Sequence, residues 1–193
     1  MATRFLDKVT TPATTDVQNL PNAAGIAYDT TTGTLVYNDA GTLRYITAGN
    51  AAPVAETGTT LTVSAALHAG RTVLLSNVAG CAVTLPAATG SGAKYRFVRT
   101  AALTSGSDVV SAAASELFAG YSILEDSGDS TPADATIFAT VNASTNTWTN
   151  AFSLGGGEIG DHFEVEDIAT DRWAVKGFIQ AVLDSTASPF SNV

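Results

Sequence analysis

The chain has 193 residues, enough for one large all-β domain or for one domain with a small appendage. It is rich in Ala and Thr (33 and 28 residues), has only 14% charged residues and a net charge of −9. A single cysteine excludes an intrachain disulfide and a Cys-rich metal site, and no apolar run reaches the ~18 residues of a membrane-spanning helix.

The acidity is uneven. Residues 1–100 hold seven basic and five acidic residues, whereas residues 101–193 hold two basic and thirteen acidic ones. Such a C-terminal half lacks the Lys and Arg needed for phosphate contacts or for an anionic membrane, so neither nucleic acid nor membrane is an expected partner. The opening "MATRFLDKVTTPATTD" has no apolar core of a signal peptide, which predicts synthesis and use in the cytoplasm.

Residues 1–24 read as an extended arm. Two prolines and several β-branched threonines leave no helical period, so the arm is either disordered or laid against a partner. Residues 25–58 read as a small β-meander and linker. Short strands at 26–28, 34–37 and 42–46 are divided by turns at Gly33 and Gly41, and "TAGNAAPVAETG" (47–58) is the linker. Leu35 and Tyr37 share one face of their strand, as do Leu43 and Tyr45 of the next. Strands this short bury too little to stand alone, so this stripe requires the rest of the chain or another copy.

Residues 59–193 read as a run of strands, near 59–63, 72–76, 82–85, 94–99, 108–111, 117–124, 136–141, 161–166 and 172–182. In "KYRFVR", Tyr95 and Phe97 face one way and Lys94 and Arg96 the other. In "DHFEVEDI", Phe163 and Val165 face inward while His162, Glu164 and Glu166 face outward. The predicted fold is all-β: a β-sandwich or jelly-roll-like barrel with an extended N-terminal arm and a small meander. "SAALHAG" predicts one helical turn, and "SAAASELFAG" fits helix and strand equally.

Few groups invite chemistry. "GSGAK" (90–94) has the look of a phosphate-cradling loop but lacks its spacing and its helix, and predicts a hairpin loop. Asp126 and Asp129, with Glu125 and Asp134, are weak candidates for calcium, as is the group Glu164, Glu166, Asp167 and Asp171; neither has EF-hand spacing. His162 beside Asp161 imitates part of a hydrolytic triad, yet neighbours on a strand face opposite ways and no G-x-S-x-G is present. His68 is the other histidine. Cys81, in an apolar run, predicts a buried inert thiol, and the sequon at Asn142 is without meaning in a cytoplasmic chain. Trp173 predicts core or interface, and Trp148 either core or a sugar-stacking surface. No cofactor is expected and no enzyme is predicted.

"CAVTLPAATGSGAKYRFVRT" (81–100), "IGDHFEVEDIATDRWAVKGFI" (159–179) and the tail "STASPFSNV" together resemble virion structural proteins of tailed bacteriophages, over roughly residues 59–193. "YDTTTGTLVYNDAGTLRYI" (28–46) is similar to the short N-terminal sheet of phage fibre and decoration chains. The resemblance implies a capsid decoration (cement) protein, a homotrimer on the outer surface of the head that clamps the major capsid protein. Arg4, Phe5, Leu20, Tyr28, Tyr37 and Tyr45 are the implied capsid and self-association contacts. The alternative it leaves open is a head or tail fibre that binds host surface glycan through Trp148, Tyr121 and the loop near Asn146.

Overall fold

The structure is a computed structural model and describes residues 23–29, 34–39, 42–46, 52–126, 135–141, 144–181 and 187–192. The chain divides into two compact units, residues 1–51 and 52–193.

The first unit contains an antiparallel three-stranded meander of β1 (Ala23–Asp29), β2 (Thr34–Asp39) and β3 (Thr42–Ile46). Its register places Tyr28 opposite Leu35, Tyr37 opposite both Ile26 and Arg44, and Tyr45 opposite Val36. The Leu35/Tyr37 and Leu43/Tyr45 pairs therefore occupy alternate rows of the sheet. Arg4, Phe5 and Leu20 lie outside the described residues.

The second unit is all-β and sandwich-like, two sheets packed together. The seven-stranded sheet runs β11 (Ala135–Ala139), β10 (Leu117–Asp126), β14 (Arg172–Ala181), β13 (His162–Ala169), β8 (Lys94–Arg99), β6 (Thr72–Leu75), β4 (Val54–Glu56). The five-stranded sheet runs β15 (Phe190–Ser191), β12 (Thr147–Ala151), β9 (Ser107–Ser111), β7 (Ala82–Thr84), β5 (Thr60–Thr62).

From β4 to β9 the chain alternates between the sheets at every strand. β4, β6 and β8 pair in parallel in one sheet, and β5, β7 and β9 in the other. A parallel pair needs a long crossover, and here each crossover is itself a strand of the opposite sheet. The first half of the sandwich is thus a flat coil. The second half closes it: β12 returns antiparallel beside β9, β13 and β14 form a hairpin, and β10 lies parallel to β14 along ten residues.

This winding corrects several local expectations. Residues 85–93 do not form a hairpin loop, because β7 and β8 belong to different sheets. β4 takes three residues from the expected linker, where "VAE" has no period long enough to read. "SAAASELFAG" resolves to strand from Leu117, since Phe118 enters the core on a period of two with Ser122 and Leu124. The helical turn Ala65–His68 forms as expected.

Alternation along the strands builds the core. Val73, Phe97, Phe118, Phe163, Trp173 and Val175 come from the large sheet, and Val83, Val110 and Trp148 from the small one; all are at most 2% exposed. Trp148 stacks on Phe163 with ring centroids 4.5 Å apart, and its Nε1–H donates to Ser122 Oγ at 3.3 Å.

One glycine governs the sheet beside the site described below. A Cβ at Gly120 would overlap the backbone carbonyl oxygen of Val175 on the paired strand. Gly120→Val is expected to part β10 from β14 and cost about 3 kcal/mol or more, as core overpacking does. A fall in the urea midpoint of unfolding checks it.

Candidate functional site

The outer face of the seven-stranded sheet carries side chains in rows fixed by register. One row crosses five strands as Tyr121, Lys176, Glu164, Arg96 and Thr72, and the next row includes Ala119, Ala174, Glu166 and Lys94. Glu164 sits between two cations, 3.1 Å from Arg96 Nε and 3.5 Å from Lys176 Nζ, while Glu166 lies 3.2 Å from Lys94 Nζ. Arg71 is held at the β6 side by hydrogen bonds from Nε to the Ala52 carbonyl oxygen and from Nη1 to the Leu67 carbonyl oxygen.

These residues line a groove of about 680 Å³. The hollow exists because Gly70, Ala119, Gly120 and Ala174 place almost no bulk along it. Four cations (Arg71, Lys94, Arg96, Lys176) meet two carboxylates there, although residues 52–193 hold six Lys and Arg against fourteen Asp and Glu, a balance of −8. The ion pairs are exposed, with the Lys94 and Lys176 side chains 67% and 65% open. Exposed pairs contribute less than about 1 kcal/mol each. Stability therefore does not account for gathering two-thirds of the unit's cations in one hollow.

Alongside the charged rows runs an apolar one. Ile137, Ile123, Phe178, His162, Val98 and Leu74 are neighbours across six strands. His162 stacks on Phe178 at 5.7 Å and its Nδ1 lies 3.1 Å from the Gly160 carbonyl oxygen. Ile137, on edge strand β11, is 67% exposed.

Of the acidic residues that invited a metal, the described group Glu164, Glu166, Asp167 and Asp171 does not converge. Glu125 and Asp126 end strand β10, and Asp129 and Asp134 lie outside the described residues. Glu164 and Glu166 pair with cations, Asp171 turns the β13–β14 hairpin with φ of 58°, and Asp167 is buried. Among the described residues no three His, Cys, Asp or Glu side chains are grouped to hold a metal ion.

Asp167 instead explains the glycine-rich loop. Its carboxylate accepts hydrogen bonds from the backbone N–H groups of Thr89, Gly90 and Ser91 at 2.6–3.0 Å, and from the Thr89 and Ser91 hydroxyls. Burial works to raise the Asp167 pKa, but these donors outweigh it and hold the carboxyl down at about 2. "TGSG" does cradle an anion, and the anion is the protein's own.

Three more buried carboxylates play similar parts. Asp161 accepts from Gln180 N, Gly157 N, Glu158 N and Asn150 Nδ2, which turns it away from the outward-facing His162. Glu116 accepts from Trp173 Nε1–H and Ala88 N, both at 2.8 Å. Asp108 meets Arg99 in the interior.

Comparison with models of protein families, with curated protein sequences and with solved structures finds no match.

The expected glycan contacts are largely withdrawn from solvent. Trp148 is 2% exposed, because it faces the core from β12 and stacks on Phe163 of the other sheet, and Asn146, just before β12, is fully buried; Tyr121 is open, at 42%. Trp173 is core. Cys81 is buried, and burial, with Glu56 and Asp108 nearby, pushes its thiol up to about 11. His68 is buried at the helical turn, where its Nδ1 lies 3.0 Å from the Ser64 backbone nitrogen; burial lowers its pKa.

Alternation marked Lys94, Arg96, Glu164 and Glu166 as outward-facing. What it missed was Arg71, Lys176 and the pairing that brings them together. Placing "KYR" opposite "EVE" in antiparallel register was the available signal.

Proposed function

We propose that the chain is a bacteriophage virion structural protein of the decoration type, made in the host cytoplasm and seated as a homotrimer on the outer surface of the head. The observation that carries this reading is the division of the chain at residue 51 into a small meander and a large sandwich. A three-stranded sheet of five- to seven-residue strands needs a further surface for its apolar residues. The arm (Arg4, Phe5, Leu20) and the meander (Tyr28, Tyr37, Tyr45) supply the contacts to the major capsid protein and to the other copies. Many such attachments on one lattice make weak individual contacts sufficient. The action is mechanical, with buried interface opposing the pressure of packaged DNA.

Light scattering on purified protein is expected to give a mass near three times 19.7 kDa, and a clean monomer overturns the trimer. Removal of residues 1–22, which leaves β1 whole, is expected to lower occupancy of heads assembled without the protein by about tenfold, the loss of about 1.4 kcal/mol of attachment per copy. Undiminished occupancy overturns the assignment of the arm.

A further inference from the structure

We infer that the groove on the seven-stranded sheet is a binding site for a carboxylate-bearing saccharide. The inference stands on the groove itself and does not depend on what the first unit attaches to.

The first argument is charge. A hollow with four cations and two carboxylates, on a unit whose balance is −8, is a local positive site in a negative field. That combination accepts a ligand with a few discrete negative charges and repels one with a continuous phosphate backbone, since nucleic-acid affinity grows with the number of phosphates neutralised.

The second argument is the arrangement of donors and acceptors. Arg96 and Lys176 flank Glu164, and Lys94 is paired with Glu166. Each charged group is held by its neighbour, so N–H donors and carboxylate acceptors alternate at fixed spacing along the hollow. Sugar hydroxyls both donate and accept, and a ring carrying neighbouring hydroxyls matches such alternation. Arg71, whose hydrogen bonds go to the Ala52 and Leu67 carbonyl oxygens, keeps the hollow net positive for the carboxylate.

The third argument is the floor and the flank. Tyr121, 42% exposed, stands beside Lys176 across the β10–β14 pair. The apolar row of Phe178, His162 and Val98 runs alongside, offering a surface for the C–H face of a sugar ring. β6, β8, β13, β14 and β10 span four strand spacings, about 19 Å, which is room for a short oligosaccharide. An acidic peptide is a poorer match. Extended peptides are captured by adding to a sheet edge through main-chain bonds, whereas this groove crosses the middle of a sheet whose main-chain groups are already paired.

The test titrates the full chain with a hyaluronan hexasaccharide, its carboxyl-reduced counterpart and a hexaglutamate peptide, followed by NMR. The hexasaccharide is expected to bind with Kd of about 1 mM or tighter at low salt, with shifts confined to β6, β8, β13, β14 and β10. Carboxyl reduction and the double variant Lys94→Glu/Lys176→Glu are each expected to weaken it about tenfold or more, the effect of about 1.4 kcal/mol. Tyr121→Ala, which leaves every charge in place, is expected to weaken it about fivefold through the lost ring contact. The unfolding midpoint of the double variant serves as the folding control. No saturable shift, equal binding of the carboxyl-reduced sugar, equal binding of hexaglutamate, or full binding by both a folded double variant and Tyr121→Ala would each overturn the proposal.

Discussion

Asp108→Ala is expected to destabilise the sandwich by about 3–5 kcal/mol, the loss that breaking a buried ion pair brings. Asp108 and Arg99 are 2% and 1% exposed, and Arg99 Nη1 donates to both carboxylate oxygens at 2.6 and 2.8 Å. The guanidinium also donates from Nε to the Ala101 carbonyl oxygen and from Nη2 to that of Asn77, while Asp108 Oδ1 accepts from Cys81 N. Burial pushes the Asp108 carboxyl up, and Arg99 opposes the rise. The pair thus ties β8 of one sheet to β9 of the other and fixes the turn between β6 and β7. Removing the carboxylate strands a buried guanidinium, whose desolvation is then uncompensated. The loss is a large share of the roughly 5–15 kcal/mol that holds a domain together, and corresponds to a fall in Tm of about 10 °C or more at this size. The double variant Arg99→Met/Asp108→Leu is expected to regain most of it, because neither charge then has to be desolvated. Urea unfolding of the three proteins reads both effects. A cost below about 1 kcal/mol for Asp108→Ala would mean that water reaches Arg99.

The contrast between this pair and the groove shows what the sequence could reveal. Lys94–Arg99 alternates strictly between apolar and charged residues up to Phe97, so its inward and outward faces were readable from period two alone. Arg99 belongs to the inward face by the same count, yet a charged residue there conflicts with the apolar pattern until Asp108 supplies its partner. Asp108, Glu116, Asp161 and Asp167 are indistinguishable in the sequence from solvated carboxylates. Each accepts at least one hydrogen bond from a donor 9 to 78 positions away. The coil of parallel strands was equally hidden. Alternation fixes the face a side chain takes but not the strand it lies beside, and β4, β5 and β7 are only three residues long. β12 was passed over because Asn146, Thr147 and Asn150 are polar, although all three are buried. The groove combines both problems. Its charges on β8 and β13 were legible one by one, while the placing of Glu164 between Arg96 and Lys176 depends on β13 pairing with β8 on one side and β14 on the other.

Asp167→Ala is expected to cost about 2 kcal/mol at neutral pH, and the cost is expected to vanish in acid. The carboxyl titrates at about 2 in the folded chain against an ordinary 3.8. A folded-state pKa below the unfolded one means that the ionised carboxylate favours folding. The contribution is therefore complete above about pH 4–5 and fades as the pH falls through 2, below which both states are protonated. A displacement of this size is worth about 2 kcal/mol, and the difference between wild type and variant should narrow by about 1.5 kcal/mol between pH 6 and pH 2.5. Urea midpoints of the two proteins across that range measure it, and a constant difference would mean that packing, not charge, carries the effect. The consequence extends to the site. Asp167 follows Glu166 on β13, and the loop it grips leads into Lys94 on β8. Lys94 and Glu166 face each other across that junction at 3.2 Å. Without the carboxylate, the turn at 89–91 loses the anchor that fixes where β8 begins, so the Lys94 end of the groove should loosen while the Lys176 end, on β14, stays in place. NMR shifts that follow Asp167→Ala along β8 and spare β14 would establish that the buried carboxylate positions the exposed one.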